Sequence, residues 1–240
     1  LVTGVQTCAL PISELKAVNF NATQLKTGGY SVVDLYNAGF TPSELRVASY
    51  TVSNILSSGY TLFDLSSSGF VKSDYVASNI TLSDISGAGF SVSDIYIAEY
   101  TASDLYAANF AAASLYGVYT VTQIRAGGYT ATQMKNAGVY DLVSLKNGGY
   151  TVAELKAAGY TANQLRITGF TLNNLISGGF GVTDLKAAGY LGSQLVNAGY
   201  TVVQLKTGGY TASELKSDGF TATQLVNAGY TYSDLYVAEY

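Results

Sequence analysis

Twelve of the sixteen carboxylates in this sequence fall on one position of a ten-residue period, among them Glu14, Asp34, Asp94, Asp104, Glu154 and Asp234. Carboxylates at a fixed interval could hold cations in a ladder or share a proton as an acid/base pair. The rest of the composition argues for something plainer. There is no His, so the commonest general base and zinc ligand is missing, and the one Cys, Cys8, cannot form a disulfide framework. Three residues before most of the periodic acids stands Ser or Thr, which makes the pair a capping box: each side chain satisfies a backbone N–H of the other residue at a helix start. Capping accounts for the whole series. The sequence therefore implies no catalytic residue, no metal site and no cofactor.

The elements that place these acids are short and regular. From Ser13 onward the chain is about 23 copies of one decapeptide, as in Thr211-Ala212-Ser213-Glu214-Leu215-Lys216-Ser217-Asp218-Gly219-Phe220. The register slips twice, one residue short over residues 111–119 and one residue long over residues 130–140. Position 1 is Ser or Thr in sixteen copies, and position 4 is acid in twelve and Gln in seven. Pro42 follows Thr41 at the first helical position, where its missing N–H costs nothing. Position 9 is Gly in sixteen copies and Asn in three, residues that tolerate a left-handed helix end. Position 10 is aromatic almost throughout, and position 5 is Leu in seventeen copies and Ile in four. Positions 2, 5 and 8 form one apolar stripe.

Each repeat thus reads as one capped helix of about two turns, roughly 10 Å long. That is below the ~12–15 residues a helix needs to persist alone in water, so stability must come from stacking. The expected fold is all-α, an α-solenoid with one short capped helix per repeat. The alternative is a pentapeptide-like β-solenoid, since Leu at position 5 and an aromatic at position 10 put an apolar residue in every fifth place. Gln and Glu suit a capping box better than a β-corner, and Gly occupies one pentapeptide of each pair, so helix is preferred. The array resembles decapeptide repeat proteins of the G-[YF]-T-x-x-E-L-K-x-A kind, proteins of unknown function from environmental and viral reading frames. That resemblance covers every copy and implies no activity.

Residues 2–12, V-T-G-V-Q-T-C-A-L-P-I, resemble the frame translation of a sequencing-library adapter. The expectation is that residues 1–12 derive from that adapter, Cys8 included, and that residues 13–240 are a single repeat array cut from a longer chain.

Eleven of the twelve basic residues sit at position 6, with Lys72 the exception, which marks position 6 as solvent-facing. Residues 51–119 hold six acids and one base, residues 120–230 five acids and eight bases. In the acidic block position 6 becomes Leu56, Ser66, Val76, Ser86, Tyr96, Tyr106 and Tyr116. The last three form an expected aromatic stripe on adjacent repeats, flanked by Asp94, Glu99 and Asp104, and exposed aromatics of this kind anchor protein partners. A formal charge of −4 offers nucleic acid no basic footprint, and no apolar run is long enough for a membrane span. The expected function is a non-enzymatic scaffold that binds another macromolecule, a protein, along its repeated surface. Self-association into filaments is the alternative.

Overall fold

The computed structural model describes residues 11–240. Of the adapter-like segment, residues 1–10 with Cys8 lie outside the described residues. Among the described residues there are 21 α-helices, two 3-10 helices and no strand, one helix to each repeat. The fold is an all-α solenoid, and the β-solenoid alternative falls. The chain divides after Tyr119 into two compact units.

The local chemistry explains the helices. In the Ala22–Thr27 helix the side chain of Asn21 accepts from the N–H of Gln24, whose own side chain accepts from the N–H of Asn21, both at 2.9 Å. Ser31 with Asp34, Thr151 with Glu154 and Thr221 with Gln224 repeat this box. Each cap is worth about 1 kcal/mol. Where position 1 is Val71, Gly181 or Leu191 only half the box survives, the backbone N–H donating to Asp74, Asp184 or Gln194. Each helix closes on a left-handed residue, Gly in most repeats; Asn19, Asn79, Asn109, Ser49, Glu99 and Glu239 adopt it elsewhere. In most repeats the next N–H then reaches back to position 5, as Tyr160 to the Leu155 carbonyl at 3.0 Å, which closes a Schellman turn.

Most helices have six residues and cannot stand alone. What holds them is contact with the repeat after next: Ala131–Ala137 packs on Val152–Ala157, Ala162–Ile167 on Val182–Ala187, and Ala22–Thr27 on Pro42–Val47. Within each unit the repeats therefore stack as two columns, alternate repeats in each, and one layer spans two repeats. The core is a file of position-5 side chains, Leu35 to Leu115 in the first unit and Leu145 to Leu225 in the second, fully buried. Position-10 rings such as Phe40, Tyr100, Tyr150 and Phe180 flank it.

Several tyrosine hydroxyls, polar groups beside an apolar core, share one outlet, while the buried Tyr100 Oη has no partner among the described residues. Tyr150 Oη donates to the Tyr129 carbonyl at 2.6 Å, Tyr119 Oη to the Tyr100 carbonyl at 2.6 Å, and Tyr230 Oη to the Tyr210 carbonyl at 2.5 Å. Tyr60 and Tyr240 do the same to the Phe40 and Phe220 carbonyls. Each bond ties one layer to the previous one in the same column. Burial pushes the Tyr150 phenol up to about 12, beyond the ordinary tyrosine range.

Where the decapeptide is irregular, the connectors change and the core does not. Over residues 111–119 the helix shortens to a 3-10 turn, Ala112–Leu115, Gly117 takes the left-handed conformation at φ 78°, and Tyr119 N–H still bonds to the Leu115 carbonyl. The helix Ala131–Ala137 gains one residue before Gly138. Thr120 and Asp141 cap the helices that follow, and Leu115 and Leu145 are both fully buried.

Candidate functional site

Position 6 is where the chain departs from the sequence expectation. The basic heads do not simply face solvent. Lys135 Nζ donates to the carbonyls of Ala158 at 2.9 Å and Gly159 at 3.0 Å, and stands 4.5 Å from the Tyr160 ring centroid. Lys26 makes the same contacts with Ala48, Ser49 and Tyr50, and Lys216 with Ala238, Glu239 and Tyr240. A helix end leaves carbonyls unsatisfied and carries negative partial charge, so a cation laid across it from the stacked repeat stabilises it, and the ring face adds a cation–π attraction. Sequence reading saw the periodicity of the bases but not their target, which lies 22 to 24 residues away in the chain.

A carboxylate completes this seat in some repeats. Arg125 pairs with Glu154 at 3.3 Å, Lys16 with Glu44 at 3.4 Å and Lys186 with Glu214 at 2.8 Å, an offset of 28 or 29 residues. The acid is the capping residue of the helix that begins just beyond the ring. Lys72, the base outside position 6, reaches the equivalent place from position 2: it pairs with Asp104 at 2.6 Å and lies 5.8 Å from the Tyr100 ring. These pairs are partly exposed, and each contributes no more than about 1 kcal/mol.

The three tyrosines singled out from the sequence are exposed, Tyr96 by 45%, Tyr106 by 40% and Tyr116 by 59%. Consecutive repeats belong to different columns, so Tyr96 and Tyr116 share one column and Tyr106 lies on the other. Tyr96 stands in the position-6 seat as lysines do elsewhere, its ring edge-on to Tyr119 with centroids 5.0 Å apart. Tyr36 meets Tyr60 in the same way at 4.7 Å. Asp94 and Asp104 are caps, hydrogen-bonded to Ser91 and Thr101, and Asp104 also holds Lys72. Glu99 is exposed and holds the left-handed helix end at φ 65°, a conformation that costs a residue with a β-carbon about 1–2 kcal/mol.

The caps set the electrostatics of the acidic unit. Hydrogen bonds from Ser31, Thr61 and Thr81 hold Asp34, Asp64 and Asp84 below the ordinary carboxylate range. In the second unit, open grooves recur between the start of one helix and the repeat stacked over it. One of about 520 Å³ is lined by Arg125, Tyr129, Thr130, Thr132 and Glu154, and another of about 480 Å³ by Lys146, Tyr150, Thr151, Phe170 and Asn174. Their polar groups are the caps and cation seats already described. Among the described residues no group of His, Cys, Asp and Glu is placed to hold a metal ion, and no helix is long and apolar enough to cross a membrane.

No curated protein and no solved structure matches the chain. The family model of the decapeptide repeat region matches residues 8–72, 118–192 and 169–240, which together cover most of it. The capping boxes, glycine stops and stacked aromatics are what that ten-residue unit encodes, and this chain belongs to the decapeptide repeat family.

Proposed function

We propose that the chain is a non-enzymatic repeat scaffold that binds another macromolecule, a protein, along its solenoid surface. One observation carries this reading. Across residues 51–119 position 6 gives up its cations, and Tyr96, Tyr106 and Tyr116 stand exposed where lysines elsewhere lie over the next layer. Tyrosine offers large, rigid contact area with a polar tip, which makes it a favoured interface anchor. Asp94, Glu99 and Asp104 flank the rings with negative charge, which favours a polypeptide partner over nucleic acid. The periodic carboxylates are committed to capping, so the scaffold reading assigns them no chemistry.

The test is selection of a random peptide library against the immobilised full chain and against the triple variant Tyr96→Ser, Tyr106→Ser, Tyr116→Ser. Peptides enriched on the parent and lost on the variant support the reading; equal recovery from both overturns it. Sedimentation velocity of the two proteins separates the other possibility. Concentration-dependent oligomers that vanish in the variant would identify these tyrosines as a self-association surface instead.

A further inference from the structure

Within the second unit the acids at position 4 obey a rule. Glu154, Asp184, Glu214 and Asp234 each stand 28 or 29 residues after a base, namely Arg125, Lys156, Lys186 and Lys206. Where position 6 is Ile176 or Val196, the residue at that offset is neutral, Gln204 or Gln224. Every acid there has a cation at that offset, although the converse fails, since Lys135, Lys146 and Arg166 meet Gln164, Asn174 and Gln194.

The first unit breaks this rule, once in the column of Ser66, which Asp94 follows by 28 residues, and repeatedly in the other column. Position 6 there reads Tyr36, Leu56, Val76 and Tyr96, yet the residues at the same offset from the first three are Asp64, Asp84 and Asp104. Asp104 receives Lys72. Asp64 and Asp84 are exposed and bonded to their own caps, Thr61 and Thr81, and among the described residues neither forms an ion pair. Val76, in the column of Tyr36 and Leu56, is 58% exposed. The sister repeats show what such a seat takes: the ammonium or guanidinium of a long basic side chain, as Glu214 takes Lys186 and Glu154 takes Arg125.

We propose that this edge of the first unit docks a cationic, apolar-bearing segment of a partner protein. Lys or Arg side chains of the partner take the places beside Asp64 and Asp84, and its apolar side chains cover Leu56, Val76 and Tyr96. The proposal rests on the scaffold reading and narrows its surface to the column of Tyr36 and Tyr96, leaving Tyr106 outside it. Stacked layers are about 8–10 Å apart, as packed helices are. A polyproline II segment, with three residues per turn at ~3.1 Å each, meets that interval with a base at every third residue, and a helical one with a base at every seventh, at ~1.5 Å. Complementary charge guides the encounter, and the apolar cover gives residence.

The experiment uses four fluorescein-labelled peptides and the full chain. One peptide repeats Lys-Leu-Ser, a second places Lys and Leu at heptad spacing, and two counterparts carry Glu for Lys. Anisotropy titrations should show one or both Lys peptides binding, weakening as salt rises, and neither Glu peptide binding. Asp64→Asn with Asp84→Asn should weaken binding roughly tenfold. Asn keeps the capping box, as Asn54 and Asn174 do. Leu56→Lys should weaken it as well, by seating the chain's own cation beside Asp84, while Glu154→Gln in the second unit should leave it unchanged. Failure of both Lys peptides, equal binding of the Glu peptides, or full binding by the Asn variant overturns the proposal. Library peptides that need the tyrosines but show no preference for Lys or Arg would sink this inference and leave the scaffold reading standing.

Discussion

Val152 packs into the space that a side chain on Gly178 would need: a β-carbon built on Gly178 would stand 2.6 Å from Val152 Cβ. Position 2 of one repeat meets position 8 of the repeat after next, so the two residues face each other across a layer. Val182 meets Gly208 at the same 2.6 Å and Val121 meets Gly148 at 2.9 Å, while at the same two positions Ala162 and Ala188 are both small and buried. Gly192, with no side chain, is met by Asp218, whose carboxylate accepts from its N–H at 2.5 Å. The two positions are matched in volume at these layers, as close packing demands.

Gly178→Ala should therefore destabilise the second unit by about 1–3 kcal/mol through overpacking. Gly178 has φ −79°, so the backbone accepts Ala and the cost is steric. Val152→Ala in the same chain removes Cγ1, the nearer atom, but keeps Cβ, and should restore part of the loss. Urea denaturation of the two single variants and the double variant measures the coupling; additive effects would refute the pairing.

Lys135→Met keeps the stem and removes the charge from the Ala158 and Gly159 carbonyls. The loss should be about 1 kcal/mol, since hydrogen bonds at a partly exposed helix end are screened by water. The decisive readout is amide exchange at residues 157–160, which should quicken because the freed carbonyls end that helix. Unchanged exchange there would show the contact to be decorative.

Leu185 is fully buried in the position-5 file, and Leu185→Ala should cost about 2–5 kcal/mol in chemical denaturation. A cost below about 0.5 kcal/mol would remove position 5 from the core.

Acid should loosen both units, the first somewhat more. Five carboxylates are held low there (Asp34, Glu44, Asp64, Asp84 and Asp104), against Asp141, Glu154, Glu214 and Asp234 in the second. Asp34, Asp64 and Asp84 have folded-state values below that of an unfolded chain, near ~3.9. A lowered carboxylate contributes its stability above the unfolded value and loses it as pH falls through the folded one. Melting temperature should hold from neutral pH to about 5 and fall below about 4. The second unit caps more of its helices with Gln, as at Gln123, Gln133, Gln164, Gln194, Gln204 and Gln224, which do not titrate. Exchange protection lost uniformly in both units at low pH would contradict this account.

The parts of this fold that act within ten residues were legible in the residues themselves. Thr151 and Glu154 cap one helix because their side chains reach no further than its first turn, and Gly159 ends it because a left-handed residue is needed there. Leu155 and Tyr160 were recognisable as core by their spacing. The two 3-10 turns, Phe63–Leu65 and Ala112–Leu115, were not foreseen, since both keep the leucine in register and alter only the winding around it. Which repeat lies on which is a different kind of fact. A ten-residue period is the same whether one, two or three helices complete a layer, and only packing settles it. Once alternate repeats stack, Lys135 has a helix end to cover, Val152 has a glycine to face, and Tyr96 parts from Tyr106. Those relationships join residues about 20 to 29 apart. They depend on how closely two helices can approach, a distance set by side-chain volumes on both, and no window of sequence around either residue contains it.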